Sequence, residues 1–362
     1  SPAGDPTHRP PPRAFRRGWR LGTPDLILDM PEPFTIPAEG QIPYHHVLID
    51  PGFTEDRWVN GIEIRPGNRE VVHHIMLFLV NMKTLDPEAW FADFDGGKKG
   101  YFALMVPGET PTRFDDGLAK LIPAGHQIVM TIHYQSVGLV AQDQSRIGLH
   151  FAKGAPRHRV LTEAACQDDA LVLPPNAPRT RIFSNYFLQR DAVFLSFTPH
   201  MHYRGVSFRY TMHYPSSVVL ERAVDLGGLR ADVGPRFHFD PDTKTLHFVG
   251  GMTVEIEDMV RPRMSCLADI EALRRLRANS RSEILLDVPR YDFGWQNTYR
   301  LAKPLPVPAG ALLSCYADFD NSVGNPLLTA AMASQEVRWG LQSTDEMMIG
   351  YFDIYFLDGG GR

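Results

Sequence analysis

The sequence predicts an all-β protein made of two antiparallel β-sandwich domains of the jelly-roll type, and three observations lead to this fold class. Many short apolar segments alternate with polar residues at the two-residue period of strands. Glycine and proline, 30 of each, interrupt the 362-residue chain at short intervals. Long helical patterns are almost absent, which favours antiparallel sheets over a βαβ arrangement.

The chain divides into a lead-in and two domains. Residues 1–20 are rich in proline and arginine and predict an extended lead-in. Residues 21–153 predict the first sandwich, and residues 154–362 predict the second. Residues 217–281 differ from the rest, because a hairpin-like segment (HFDPDTKTLHFV) precedes a helical pattern from Cys266 to Leu276. They predict a small α/β insertion in the second domain.

The composition of the chain argues against two classes of protein, those that bind nucleic acid and those that span a membrane with a helix. The formal charge of −5 and a pI of about 6.3 argue against nucleic acid. No apolar run approaches the ~20 residues of a membrane-spanning helix. Cys166, Cys266 and Cys315 form no CxxC motif, which leaves open one disulfide with a free thiol or three thiols. The opening segment SPAGDPTHRPPP contains no signal peptide and is typical of a trimmed mature chain.

Six residues of metal-binding types lie in four short segments of the chain. The segments are VVHHIMLF, VMTIHYQS, FTPHMHYRG and STDEMMIGY. In chain order they supply two sets of three candidate ligands, which are His73, His74 and His133, then His200, His202 and Met347. Three imidazoles suit copper, zinc or iron, whereas two imidazoles with a thioether point to copper, because a soft sulfur favours Cu(I).

Strand geometry decides which of these histidines can share a metal. His200 and His202 are two residues apart, so they project from the same face of a strand. His73 and His74 are adjacent and would face opposite ways in a regular strand. Joint ligation by this pair therefore needs a β-bulge or a strand end. Otherwise one imidazole ligates and its neighbour packs.

Each signal also has an ordinary structural explanation. The second adjacent pair, His45 and His46, shows how easily two histidines occur together without a metal. His133 lies in an apolar strand, where a satisfied core histidine is the default. Met347 opens an apolar run in which methionine usually fills space, and Met348 competes for the same role.

In their order and surroundings, the four motifs resemble the copper type II, ascorbate-dependent monooxygenase family, which includes peptidylglycine α-hydroxylating monooxygenase and dopamine β-monooxygenase. Flanking segments such as RWVNGIEIRPGNREVVHH and YDFGWQNTYRLAKPLPVPAGALL are similar to the bacterial branch. The likeness covers about residues 18–216 and 282–357.

The resemblance implies a role for each candidate ligand. The first set would hold the electron-storing copper, and the second set would hold the copper at which dioxygen and substrate meet. His200, His202 and Met347 would then be catalytic, together with Tyr351, which keeps the family's tyrosine four residues after the methionine. Nearby carboxylates are expected to fix the imidazole tautomers, with Asp345, Glu346 and Asp353 as candidates.

The pattern departs from the family in three places. The peptide-amidating members carry an arginine two residues before the HxH pair, where this chain has Thr198. Its loss argues against peptides with a C-terminal glycine, because no bidentate carboxylate clamp replaces it. The chain lacks the many disulfides of the vertebrate members. Residues 217–281 are an addition, with a lid, a docking or a neutral role left open.

These observations predict a copper-dependent monooxygenase with two copper ions per chain. It would hydroxylate an activated C–H bond of a small molecule or peptide, using O2 and an external one-electron reductant such as ascorbate. A periplasmic or secreted location is expected. One alternative is a copper-binding or electron-transfer protein without hydroxylase activity, which an open apolar cleft between the two sets would argue against. Another is an interaction module with incidental histidines.

Overall fold

The fold is almost entirely β in the part of the chain that the computed structural model describes. The described residues are 18–40, 42–81, 101–106, 108, 110–167, 171–188, 190–214, 237–240, 245–248, 253–255, 282–309, 311–340 and 342–357. They contain 25 strands and one short helix, α1 (Ala330–Ala333). The all-β prediction is therefore confirmed. No helix among these residues is long and apolar enough to cross a membrane.

Two sheets form from the first half of the chain. Sheet I contains β1 (Leu26–Asp29), β4 (Arg57–Arg65), β7 (Thr112–Arg113), β8 (Leu118–Ile122), β11 (Arg146–Phe151) and β12 (His158–Arg159). Sheet II contains β3 (His45–Ile49), β5 (Val72–Asn81), β6 (Tyr101–Met105) and β9 (His126–Tyr134), in the order β3-β9-β5-β6. All pairs in both sheets are antiparallel except β12 with β8.

Two further sheets form from the second half. Sheet III contains β13 (Leu161–Gln167), β16 (Ala192–His200), β22 (Tyr299–Val307) and β25 (Ile349–Phe356), in the order β13-β25-β16-β22. Sheet IV contains β15 (Ala177–Phe187), β17 (Gly205–His213), β21 (Ser282–Val288) and β23 (Leu312–Asn321), in the order β15-β23-β17-β21.

The remaining strands form small sheets. These are β2 (Phe34–Ile36) with β10 (Ala141–Asp143), β14 (Val172–Leu173) with β24 (Val337–Arg338), and the group β18 (Phe237–Asp240), β19 (Thr245–Phe248) and β20 (Thr253–Glu255). The last group lies in the predicted insertion, and its β18–β19 pair matches the hairpin expected there. The helix predicted from Cys266 to Leu276 lies outside the described residues.

Two hydrophobic cores hold the sheets together, and each draws on two of them. The first joins residues such as Ile62 of sheet I to Leu77 and Met130 of sheet II, all at most 3% exposed. The second joins Phe194 of sheet III to Phe319 of sheet IV, both fully buried. Each such side chain stabilises the fold by about 1.5–3 kcal/mol relative to an exposed position. Cys315 is part of the second core and is fully buried.

The predicted division into two jelly-roll sandwiches is not confirmed, because the sheets are arranged like the four blades of a propeller. The physical reason is a seam where sheets of the two halves pack on each other. Strand β12 belongs to the second half of the chain, but it pairs with β8 of sheet I. It also contacts β25 of sheet III. Strand β13 of sheet III contacts β6 of sheet II. Sheets I, II and III are therefore in mutual contact along this seam, and sheet IV packs against sheet III.

A buried ion pair crosses this seam. Lys120 on β8 is 5% exposed, and its Nζ lies 3.3 Å from Oδ1 of Asp353 on β25. The ammonium also donates to the Phe102 carbonyl at 2.6 Å and to the Thr162 hydroxyl. Thr162 and Ser196 donate to Asp353. Burial alone would raise the pKa of Asp353, but Lys120 and these hydroxyls hold that pKa below its usual value. The pair therefore couples the two halves.

Substitution of Lys120 by methionine is expected to destabilise the protein by about 3–5 kcal/mol, because it leaves a buried carboxylate without its cation. Arg146→Met is the matched control, since the Arg146–Asp29 pair is about half exposed on both sides and its loss should cost less than about 1 kcal/mol. Urea unfolding at pH 7 measures both changes. Equal effects of the two substitutions would contradict the assigned role of the Lys120–Asp353 pair.

Candidate metal centre

The first set of histidines lies on neighbouring strands of sheet II. Strands β5 and β9 pair with His74 directly opposite His133, so both side chains leave the same face. The register shifts between Val72 and His74, which leaves His73 as the extra residue of a β-bulge. The bulge required for joint ligation by adjacent histidines is thus present.

The three imidazoles of this set converge. Each offers one nitrogen atom such that these atoms all lie within 4.8 Å of one another. Nδ1 of His73 lies 3.0 Å from Nδ1 of His74. Nε2 of His74 is 3.2 Å from the Tyr44 hydroxyl, which leaves Nδ1 of His74 for a ligand. Nδ1 of His133 is buried and has no hydrogen-bond partner among the described residues.

The second set of histidines lies at the end of β16. His200 is its last residue, and Met201 turns inward into the second core with no exposed surface. Because Met201 faces the core, His200 and His202 face the opposite side. Both are buried, at 8% and 1% exposed. Neither ring nitrogen of His202 has a side-chain partner among the described residues, and the backbone at Gln342 and Asp345 lies near its ring.

A glutamine fixes the tautomer of His200. Nδ1 of His200 lies 2.6 Å from Oε1 of Gln296. The Gln296 amide is itself oriented, because its Nε2 donates to the Phe293 carbonyl at 3.0 Å. Oε1 must therefore accept, so Nδ1 of His200 carries the proton and Nε2 holds the free lone pair. Gln296 takes the part that we expected of a carboxylate.

Met347 and Met348 face opposite sides of the chain. The β16–β25 register pairs His200 with Ile349, so Ile349 lies on the histidine side of the sheet. Met347 clusters with Ile349 and Tyr351, whereas Met348 belongs to the second core. Met347 therefore lies on the histidine side of β25, and Met348 does not.

Through its carboxylate, Glu346 binds the backbone of the segments that carry His202 and Met347. It is fully buried, and its carboxylate accepts backbone N–H bonds from His202, Arg204 and Met347. Burial raises the pKa of Glu346 to about 8, while donors on both of its oxygens favour the ionised form. Glu346 contacts no imidazole in the described hydrogen bonds, so it is not the carboxylate that was expected to fix an imidazole tautomer. Asp353 is also engaged elsewhere, at the seam.

The other predicted catalytic residue, Tyr351, lies beside Met347. Its ring stacks on Tyr101 of the first half, with centroids 4.6 Å apart. It is directly opposite Thr198 in the β16–β25 register, and the Thr198 hydroxyl bonds to Thr298 at 3.0 Å. No arginine replaces the family's carboxylate clamp at this position. The expected departure in substrate class therefore stays a prediction.

The two histidine sets meet across the seam. The ring centroids of His74 and His200 are 6.2 Å apart, hardly more than the 5.2 Å that separates His73 from His74. Phe293 lies between the sets, stacked on His73 at 4.6 Å and 6.2 Å from His202. The His74 and His200 rings approach edge to face, so the structure shows no open apolar cleft at this point of the seam.

Burial keeps these imidazoles neutral, which is the form that binds metals. It lowers the pKa of His73 and of His200 to about 4 and that of His133 to about 3. The pKa of His74 and of His202 lies well below the usual value, because of burial and then of neighbouring imidazoles. Neutral imidazoles present lone pairs at physiological pH, so metal binding needs no proton release from them.

The donor atoms fit copper. The buried Nδ1 of His133 lacks a hydrogen-bond partner in the described part of the chain, and such an orphaned group needs an explanation. A metal ion would satisfy it. A cluster of neutral imidazoles is the donor chemistry of copper, zinc or iron rather than of calcium or magnesium.

Three residues that contact the histidines of the site were not identified from the sequence, namely Tyr44, Phe293 and Gln296. Each lies far along the chain from the histidine that it contacts, and none is a ligand type. The sequence offered one signal for two of them. The segment YDFGWQN, which carries Phe293 and Gln296, is part of a flanking segment that resembles the bacterial branch of the copper monooxygenases. By contrast, His45 and His46 are structural as expected, since His45 stacks on Phe34 and His46 bonds to Thr131.

Substitution of Gln296 by leucine is expected to lower copper affinity at the His200 set by roughly 10- to 100-fold, because the imidazole loses the partner that fixes its tautomer. Competition with a chromophoric copper chelator measures the change. Asn297→Leu, at the neighbouring position, is the control and should bind copper like the wild type. If Gln296→Leu does so too, the role assigned to Gln296 is wrong.

Comparisons with known proteins leave the family open. No model of a known protein family matches the chain, and no curated protein matches it. Among solved structures, the chain is similar to that of the infectious bursal disease virus Gt strain. The match has 11% sequence identity and a TM-score of 0.21, and it covers 92% of this chain and 73% of that chain. A TM-score this low carries no argument about fold or function.

Proposed function

We propose that the protein is a copper-dependent monooxygenase that binds two copper ions per chain. The observation that carries the proposal is the convergence of the five histidines. His73, His74 and His133 come from sheet II, His200 ends β16 of sheet III and His202 follows it, and all five rings meet at one buried centre. Five neutral imidazoles buried together offer the lone pairs that a metal needs.

The chain's own residues would prepare the site. Burial holds the imidazoles neutral, Gln296 orients His200 and Tyr44 orients His74. When bound, copper would supply one-electron redox chemistry and activation of O2. The thioether of Met347 would favour Cu(I), the state that reacts with oxygen. Ascorbate or an equivalent donor would supply electrons, and an activated C–H bond of a small molecule or peptide would be hydroxylated.

The test is O2-dependent hydroxylation by copper-reconstituted protein with ascorbate, screened over small molecules and peptides that carry activated C–H bonds. Hydroxylated product that forms with the wild type is expected to be lost in His200→Ala and in Met347→Ala. Turnover that survives in both variants would contradict the site assignment. Oxygen consumption without any hydroxylated product would contradict the hydroxylase activity while leaving copper binding intact.

A second candidate is a copper electron-transfer protein on the same scaffold. One observation favours it, namely the edge-to-face approach of His74 and His200, which brings imidazoles of the two sets together. Reversible copper reduction with no oxygen consumption would support this function. The alternative of an interaction module with incidental histidines predicts no copper uptake at stoichiometric metal. A periplasmic or secreted location remains a proposal that fits oxidising copper chemistry.

A further inference from the structure

We propose that Glu346 is a positioning residue that fixes Met347 beside His202, and that Arg204 fixes Glu346. The inference rests on the proposed function, because it gives a structural role to residues that surround its second ligand set. It goes beyond that function by assigning two residues that are not ligands, together with the atoms through which they act.

One carboxylate oxygen joins the two ligand segments. Oε1 of Glu346 accepts the backbone N–H of His202 and, at 2.9 Å, that of Met347. Two nitrogen atoms bonded to one oxygen lie within about 6 Å of each other. The backbones of His202 and Met347 are therefore held as neighbours by a single atom, although the residues are 145 positions apart in the chain.

The second oxygen locks the turn that follows the HxH pair. Oε2 of Glu346 accepts the N–H of Arg204 at 2.9 Å. The carboxylate thus spans His202 to Arg204 and fixes the direction in which the His202 imidazole leaves the backbone. Strand pairing does not extend this far, since β16 ends at His200 and β25 begins at Ile349. Glu346 replaces the missing strand hydrogen bonds at the point where the ligands lie.

Arg204 holds this arrangement in place. It is 1% exposed, its Nε donates to Oδ1 of Asn321 at 2.7 Å, and its Nη1 donates to the Thr344 carbonyl at 2.7 Å. Asn321 in turn donates to two backbone carbonyls, those of Pro174 and Gln335. A buried guanidinium near a buried carboxylate is costly unless both are satisfied, and here each has several hydrogen bonds. Because a buried pair of this kind adds little net stability, we explain its presence by the position that it gives to the two ligand segments.

The experiment compares copper coordination in the wild type, Glu346→Gln, Arg204→Gln and a control, Glu336→Gln, whose carboxylate is exposed in a pair with Arg338. X-ray absorption of the Cu(I)-loaded proteins measures the copper–sulfur contribution. Hydrogen exchange of the metal-free proteins measures protection of the His202, Arg204 and Met347 amides. Circular dichroism checks the fold. Arg204→Gln serves as a second probe should Glu346→Gln fail to fold.

The expected result is a copper–sulfur contribution in the wild type and in Glu336→Gln that is lost or strongly reduced in Glu346→Gln and in Arg204→Gln. Copper affinity at the second set should fall by roughly 10- to 100-fold, and the three amides should exchange faster in the metal-free variants. The first histidine set should still bind its copper.

Two results would overturn the inference, and they differ in what else they affect. A folded Glu346→Gln variant with unchanged copper–sulfur scattering and unchanged amide protection would overturn the role of Glu346 alone. Absence of copper–sulfur scattering in the wild type would overturn it together with the proposed function, because Met347 would then not be a ligand.

Discussion

Replacement of Met347 by leucine is expected to weaken Cu(I) binding at the second set by at least about 10-fold and to abolish hydroxylation. Leucine keeps the volume of the buried side chain, which is 3% exposed, so packing should change little. What is lost is the soft sulfur donor that stabilises Cu(I). Titration of the reduced protein against a Cu(I)-specific chelator measures the affinity, and copper X-ray absorption shows whether sulfur remains in the coordination shell.

Met348→Leu is a closely matched control, because the same change is made one residue away. Met348 is fully buried in the second core and lies on the opposite side of β25 from the histidines. Its substitution should cost less than about 1.5 kcal/mol in stability and leave Cu(I) affinity unaltered. Loss of copper–sulfur scattering in Met348→Leu with retention in Met347→Leu would mean that the wrong methionine has been assigned.

Acidification is expected to destabilise the metal-free protein steeply between about pH 6.5 and pH 4. Histidines in the unfolded chain titrate near pH 6.5, whereas burial lowers the pKa of His73 and of His200 to about 4, that of His133 to about 3, and that of His74 and of His202 well below its usual value. As the pH falls through 6.5, the unfolded state takes up protons that the folded state cannot accept. The stability is therefore fully present above pH 6.5 and declines toward pH 4.

The size of the effect follows from proton linkage. Each of the five imidazoles of the centre contributes about 1.4 kcal/mol per pH unit once its unfolded form is protonated, so their combined limiting slope is about 7 kcal/mol per unit. Urea unfolding of the metal-free protein at several pH values between 8 and 4.5 measures it. The double variant His200→Asn, His202→Asn should lose about two fifths of this contribution. A slope equal to that of the wild type would show that these imidazoles do not carry the acid sensitivity.

Several features of the site follow from sequence alone, for identifiable reasons. The HxH spacing predicts two imidazoles on one face, and the inward-facing core residue Met201 realises that geometry. Adjacent histidines can share a ligand only through a bulge, and the register shift between Val72 and His74 provides one. Both inferences depend on the two-residue period of strands, which tertiary packing does not alter.

Other features depend on contacts that no local pattern encodes. Whether Met347 or Met348 faces the histidines is decided by the register of β25 on β16. The roles of Gln296 and Tyr44 arise only after loops from distant parts of the chain come together at the centre. Likewise, the propeller-like arrangement of sheets depends on the seam around Lys120 and Asp353, a pair that the sequence separates by 233 positions.

Diffraction at the copper edge from crystals of the copper-loaded protein tests the central claim most directly. The account predicts two anomalous peaks, one within bonding distance of His73, His74 and His133, and the other within bonding distance of His200, His202 and the sulfur of Met347. Copper bound elsewhere, or a Met347 sulfur that points away from the second peak, would contradict it.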